Sequence, residues 1–483
     1  MLKQLKQLGS DSMIYGISGV VARLVGVLII PIYTRIFVPE DYGIINLINI
    51  TFYLIGVLML CSMDNASHRW YYDTDDIEDQ KKTFGTWVWF QLTLSATAAI
   101  IIIFLSPFLV KIFFKEDAKP IYLILPAIAL VTNILPQVIT NWYRVRRKPV
   151  ATVVFTISQT IVTIGLSVLF VVFLHWHITG VFAALTISSA FFSLVALQQM
   201  HGWLHIKYFL KSRLQPMLKY ALPFIPAAIA YWLLNSTDSY FLVYFKNKAE
   251  VGIFGIGAYI ASGISLFTGA FQQAWIPFAF SIMNEDNAKQ VYATVFLLFG
   301  YVMGFLAALL MMFAPEILLV FTAPAYHDAA WVAGILGYNL VVIGFTSIAS
   351  IGIAIAKKPS SFGVAMMVAT VVTVILDIIL IPLYGKEGSA IATLAAQLIV
   401  PAWIFYYGNK VYPISYKYTE VVLAMLLMAT IAVTIRFISF DGLAMQIIVK
   451  TGAALLLMLF IIVANKSKLQ LVLSKLKKRK QGI

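Results

Sequence analysis

Asp41-Tyr42-Gly43-Ile44 returns 209 residues later as Glu250-Val251-Gly252-Ile253. Lys148-Pro149 returns as Lys358-Pro359 at an offset of 210, and Gly180 followed by Ala184 returns as Gly388 followed by Ala392 at an offset of 208. Each match is weak alone. All three sit at the same kind of boundary between an apolar run and a polar one, and they stay in register. The chain therefore reads as an internal duplication with a period near 209 residues.

The background of that duplication is apolar. Of 483 residues, 61% are hydrophobic and 12% are charged, against roughly 25% charged in an ordinary soluble domain. Mean hydropathy is +0.89. So little polar surface excludes a soluble enzyme of this mass, and so much hydrophobicity excludes disorder. The formal charge is +14, yet most of the basic residues stand singly between apolar runs, which argues against a nucleic-acid partner. Cys61 is the one cysteine, so no disulfide within the chain and no Cys/His metal cluster is expected. Its ordinary role is that of a small core residue.

A helix crosses a bilayer with about 20 apolar residues. Fourteen such runs are present: 12–36, 42–63, 83–106, 120–143, 150–174, 178–201, 218–245, 250–275, 289–313, 329–356, 360–384, 388–408, 419–438 and 443–465, numbered here as spans 1 to 14. Residues 314–328, broken by Pro315, Pro324 and Asp328, read as a short outer loop. Span 1 is too long for the apolar core of a signal peptide and has no cleavage site, so it is kept as a helix. With the N-terminus in the cytoplasm, inner segments hold 25 Lys/Arg and outer ones 9, with Arg23 inside span 1. That asymmetry places both ends in the cytoplasm. The tail 466–483 reads either as an amphipathic helix on an anionic leaflet or as a solvated basic segment.

The offset spans an even number of helices, so the two repeats are parallel, a transporter architecture with the substrate site between the halves. The expected organisation is an all-α polytopic membrane protein. An N-lobe covers residues 1–213 (spans 1–6) and a C-lobe residues 214–410 (spans 7–12). Spans 13–14 fill residues 411–465, and the tail covers 466–483.

Particular segments resemble a known family. Tyr15-Gly16, Arg23-Leu24, Pro31-Ile32-Tyr33-Thr34-Arg35 and Pro39-Glu40-Asp41-Tyr42-Gly43 look like the opening of the polysaccharide-biosynthesis flippases. These are the O-antigen and capsule flippases of the multidrug/oligosaccharidyl-lipid/polysaccharide exporter superfamily. Arg69-Trp70-Tyr71-Tyr72, Leu222-Pro223-Phe224-Ile225-Pro226, Leu234-Asn235-Ser236-Thr237-Asp238 and Gln273-Ala274-Trp275-Ile276-Pro277-Phe278 continue the resemblance through spans 1–12. Relatives often carry Arg after the span-7 Asp, where this chain has Ser239. The resemblance implies a MATE-like fold in the bacterial inner membrane. It also implies alternating-access flipping of an undecaprenyl-diphosphate-linked oligosaccharide, such as an O-antigen, capsule or exopolysaccharide unit. A polysaccharide polymerase and chain-length machinery would be its partners beside membrane lipids. The alternatives are a MATE-type multidrug/cation antiporter and, less favoured for want of a long outer loop, a membrane-embedded polymerase or ligase.

Ionisable groups at membrane depth are expensive, about 2.5–3.5 kcal/mol each or more, and usually face a cavity or a partner. Three are expected: Arg23 in span 1, Asp238 in span 7 and Asp377 in span 11. Arg23 suits a lipid diphosphate through bidentate hydrogen bonds; the plain alternative is an ion pair with either acid. Asp238 and Asp377 are candidates for coupling to a proton or sodium gradient, or for helix-packing hydrogen bonds. Asn133, Gln137, Asn141 and Arg144 follow one another at steps of 4, 4 and 3 and share a helix face. Such a stripe can bind sugar hydroxyls or join helices. Arg69 and Arg144 are placed at the inner mouth, and Asn235 beside Asp238. There is no Walker A lysine motif, no resident cofactor is expected, and the acidic run Asp73–Asp79 lacks the glycine and glutamate spacing of a calcium loop.

Overall fold

The computed structural model describes residues 29–114, 118–356, 360–438 and 442–464. Arg23, the greater part of span 1 and the basic tail lie outside the described residues. Among the described residues every regular element is helical, as the apolar runs require where no water is available to the backbone.

Prolines and acids mark where helices start. After α1 (Ile30–Ile36), α2 (Pro39–Leu60) opens on Pro39 with Glu40 and Asp41 in its first turn. That is the sequence chemistry of a helix N-terminus, where a missing N–H costs nothing and negative charge meets the dipole. It stops at Cys61 and Ser62, both left-handed, and α3 (Met63–Tyr71) completes the span. Next come α4 (Ile77–Phe114), then α5 (Ile121–Thr132) and α6 (Ile134–Val145), one span interrupted at Asn133. After α7 (Pro149–Val168), the π turn Leu169–Phe173 leads to α8 (His177–Met200). Helix α9 (Lys211–Ala221) feeds α10 (Ile225–Phe245). Then α11 (Lys248–Ala261) and α12 (Ile264–Ser281) meet at a bend of 47°. The chain closes with α13 (Ala288–Phe321), α14 (Ala330–Ile355), α15 (Ser360–Val411), α16 (Tyr418–Phe437) and α17 (Leu443–Ala464).

Eleven of these stretches are long and apolar enough to cross a membrane, or twelve if the bent α11–α12 pair is one span. Expected spans 11 and 12 both fall inside α15, which Gly385 breaks at φ 56° and ψ −133°, a conformation open to glycine. Expected span 1 lies mostly outside the described residues, so the count of fourteen is not reached among them. One boundary is corrected. Residues 314–321 are not loop: α13 runs through Pro315 to Phe321, and only Pro324–Ala329 forms a separate 3₁₀ turn. A proline removes one hydrogen bond near a helix end, and here the flanking apolar residues keep the turn wound.

Packing divides the chain into two units. The first takes the described residues of Met1–Ile256 with Phe321–Asp328 and Gly363–Ala396; the second takes those of Gly257–Val320, Ala329–Phe362 and Gln397–Ile483. This division by packing is not the division by repeat, because the first unit also contains α10, the start of α11 and the first half of α15.

Inside the first unit the duplicated motif explains itself. A Cβ at Gly43 would overlap the carbonyl of Lys248, and a Cβ at Gly252 would overlap the carbonyl of Pro39. The two echoes thus pack on one another reciprocally, each glycine admitting the other's helix start. Tyr326 seals the same end by donating to the Phe37 carbonyl at 2.9 Å. At the opposite end of the unit, Phe84, Trp87, Trp142, Tyr143, Phe155 and Phe192 form an aromatic core. In the second unit, Gly300 and Gly304 of α13 lie against Val421 and Met428 of α16, the close helix approach that their spacing suggests.

Candidate functional site

Two features of the first unit stand out at membrane depth. The first is a cavity of about 420 Å³ between α2, α4 and the α5–α6 span, with Leu185 of α8 at its edge. Its polar lining is Asn49 and Tyr53 from α2, Gln91 and Ser95 from α4, and Asn133 and Gln137 at the helix break. The break matters locally: Asn133 ends α5 without continuing it, so its side chain is free of helix packing and accepts a hydrogen bond from Gln159 at 3.3 Å. The amides are connected. The Trp87 indole donates to the Gln91 side-chain oxygen at 2.7 Å, and the Gln91 amide donates to Gln137 at 3.4 Å. Gln91 and Ser95 are buried, whereas Asn49, Tyr53 and Asn133 are exposed to the opening. Neutral donors and acceptors on a wall that also presents Phe52, Tyr53 and Leu130 suit a polyhydroxylated ring, with amides for its hydroxyls and apolar faces for its C–H surfaces.

The expected four-residue stripe therefore divides. Asn133 and Gln137 line the cavity. Asn141 is buried and donates to the Gln137 carbonyl at 3.0 Å, and His68 and Arg144 lie beside it. Arg144 is exposed at the helix end. Arg69 forms an ion pair with Asp73 one turn on, both about half exposed. Gln91 and Ser95 were not among the expected site residues. Their signal was present: Trp87, Gln91 and Ser95 recur at steps of four, the same spacing that exposes the Asn133 stripe.

The second feature is a pair of acids. Asp238 on α10 is 5% exposed and Asp377 on α15 is fully buried. The two helices run parallel in this region. Thr370 bonds the Ala230 carbonyl at 3.5 Å and Lys246 bonds the Pro382 carbonyl at 2.9 Å. Those contacts bracket the acids and set them at the same level. Asp238 accepts a hydrogen bond from the Ser239 backbone at 2.8 Å. Both oxygens of Asp377 have no hydrogen-bond partner among the described residues. Asn235 is exposed one turn earlier and donates to the Tyr231 carbonyl at 2.7 Å.

A further charge at membrane depth belongs to the second unit. Lys450, inside expected span 14 but not among the three charges expected at membrane depth, lies inside α17, buried and paired at 2.5 Å with Glu316 of α13. Among the described residues no cluster of three or more His, Cys, Asp or Glu could hold a metal ion.

Helices long and apolar enough to cross a membrane, with a polar cavity and two buried carboxylates in the first unit, define a many-span helical membrane protein. Residues 32–331 match the family model described as polysaccharide biosynthesis protein, and the chain belongs to that family. No curated protein matches it in sequence. Among solved structures it is similar to the lipid II flippase MurJ in an inward closed conformation, at 14% identity and a TM-score of 0.74 over 95% of this chain and 100% of that one. It is also similar to a multidrug resistance MATE family transporter of the MOP superfamily in its outward-facing conformation, at 16% identity and a TM-score of 0.56 over 84% and 95% of the two chains. The inward-facing conformation of such a transporter matches at 17% identity and a TM-score of 0.58, over 83% and 93%. The fold is thus shared with these structures.

Proposed function

We propose that the protein is a flippase that carries an undecaprenyl-diphosphate-linked oligosaccharide from the cytoplasmic to the outer leaflet of a bacterial inner membrane, with both chain ends in the cytoplasm. The observation that carries the reading is the amide-lined cavity of a polysaccharide-biosynthesis family member, neutral where a drug-cation site would be acidic. Asn49, Gln91, Asn133 and Gln137 hold sugar hydroxyls, while Arg23, from its place in the sequence, takes the diphosphate. Arg69 and Arg144 attract that headgroup to the mouth, and Asn141 fixes the helix that carries Gln137. The polyprenyl tail stays in lipid as the headgroup crosses.

The head group crosses when the protein exchanges between two states, and a ligand shifts that exchange only through differential affinity. Net flux therefore needs a driving force. Asp238 and Asp377 supply one if they take up a proton or a sodium ion in one state and release it in the other. Two like charges at one level have no low-cost way to remain ionised together without a cation.

A second reading, a cation-coupled multidrug antiporter, is favoured by the same two acids, which a cationic drug would also satisfy. The test is made in cells that lack their own polysaccharide flippase. Restored surface glycan, lost with Gln91→Leu plus Gln137→Leu, supports the flippase. Failure to restore it with each of several glycan pathways, together with raised resistance to cationic drugs, supports the antiporter.

A further inference from the structure

The end of the first unit that carries the aromatic core also carries the turn Arg144-Val145-Arg146-Arg147-Lys148, in which four of five residues are basic. Its backbone is fixed. Arg146 bonds the Trp142 carbonyl at 3.2 Å, Lys148 bonds the Tyr143 carbonyl at 2.8 Å, and the Tyr72 hydroxyl donates to the Val145 carbonyl at 2.9 Å. Arg147 sits in the left-handed region at φ 53°, a position where glycine is the usual helix-ending residue. The turn thus presents Arg146, Arg147 and Lys148 to the exterior together, and all three are exposed.

Arg146 is held by an aromatic corner. Its guanidinium carbon lies 4.4 Å from the Trp142 ring centre and 5.8 Å from that of Trp203, and the two indoles meet edge-on at 77°. Stacking engages the face of a guanidinium and leaves its in-plane N–H edge open, the edge that binds phosphate oxygens in pairs. Three acids at this end pair with other cations: Asp73 with Arg69, Glu78 with Lys81, Asp79 with Arg213. Among the described residues no ion pair involves Arg146, Arg147 or Lys148. On the segment that follows Trp203, Ile206 and Phe209 stand exposed, Ile206 at 70%. Cations next to exposed apolar and aromatic side chains mark the level where headgroups meet hydrocarbon.

We propose that this corner is a binding site for the phosphate headgroup of an anionic membrane phospholipid, separate from the transport cavity. Arg146 grips the phosphate along its open edge, Arg147 and Lys148 add charge, and Ile206 and Phe209 meet the acyl chains. The site fixes the α6–α7 turn to the membrane surface, and it stands whether or not the flippase reading holds.

The test uses the full chain in detergent, stripped of lipid and incubated with phosphatidylglycerol or phosphatidylcholine, with retained lipid counted by native mass spectrometry. Preferential retention of phosphatidylglycerol, reduced about fivefold by Arg146→Gln, supports the site. Arg147→Gly, which relieves the left-handed backbone, should weaken retention while the melting temperature holds or rises, so a folding defect is kept apart from lost binding. Equal retention of the two lipids, or full retention in both variants, overturns the proposal. Displacement of the lipid by inorganic phosphate at equal concentration also overturns it, since the site would then recognise a free anion and not a lipid.

Discussion

Lys450 and Glu316 meet at 2.5 Å in the second packing unit, whereas Asp238 and Asp377 lie level in the first with no cation among the described residues. Both sites bury charge in the membrane. The first completes itself: a cation on α17 neutralises an acid on α13, and nothing is left for a ligand except one free oxygen of Glu316. The second is left incomplete, with both oxygens of Asp377 unbonded. A buried pair whose charges cancel is explained by structure. A buried pair of like charges is what the proposed proton or sodium coupling would use.

The largest effect should come from breaking the completed site. Lys450→Met strands Glu316 and should lower stability by about 3–5 kcal/mol, read as a drop in thermal unfolding temperature in detergent. Adding Glu316→Leu should recover most of the loss, since replacing both ions with apolar groups removes the stranded charge. Asp377→Asn is the opposite case: unfolding temperature should hold, while the response of transport to imposed proton or sodium gradients disappears. If Asp377→Asn melts as severely as Lys450→Met, the two sites are alike and the contrast fails.

Smaller effects sharpen the part played by the neutral cavity. Gln137→Leu leaves the Gln91 amide without its partner and should weaken glycan binding by about five- to tenfold, an effect of about 1–1.5 kcal/mol. Calorimetry with the soluble oligosaccharide would show it. Trp87→Phe keeps the packing and deletes only the indole hydrogen bond to Gln91, so it should cost about 1 kcal/mol of stability or less.

Much of the architecture was readable from residues. The echo of Asp41-Tyr42-Gly43-Ile44 in Glu250-Val251-Gly252-Ile253 reported a real reciprocal junction, because only glycine admits a second helix start that closely. Apolar run lengths placed the spans, since a bilayer fixes how long they must be. Where reading failed, the cause was context that one dimension does not carry. Pro315 looked like a terminator, yet α13 winds through it. Lys450 stood inside span 14 without a visible partner, because Glu316 lies 134 residues away in sequence. In the cavity, Asn133 and Gln137 were visible as a polar stripe. Gln91 and Ser95 carried an equally regular spacing from Trp87, but inside a run that reads first as an apolar and aromatic span. Asp238 and Asp377 were visible singly, but only the parallel register of α10 and α15 brings them level.

The central claim is that this fold moves a lipid-linked glycan through the amide-lined cavity. The direct measurement reconstitutes the purified protein in vesicles loaded with an undecaprenyl-diphosphate oligosaccharide and follows how fast the glycan becomes accessible to an externally added glycosidase. The account predicts faster exposure with the wild-type chain than with empty vesicles, and a return to the empty-vesicle rate with Gln91→Leu plus Gln137→Leu. Exposure no faster than in empty vesicles, or an unchanged rate in the double variant, would contradict it.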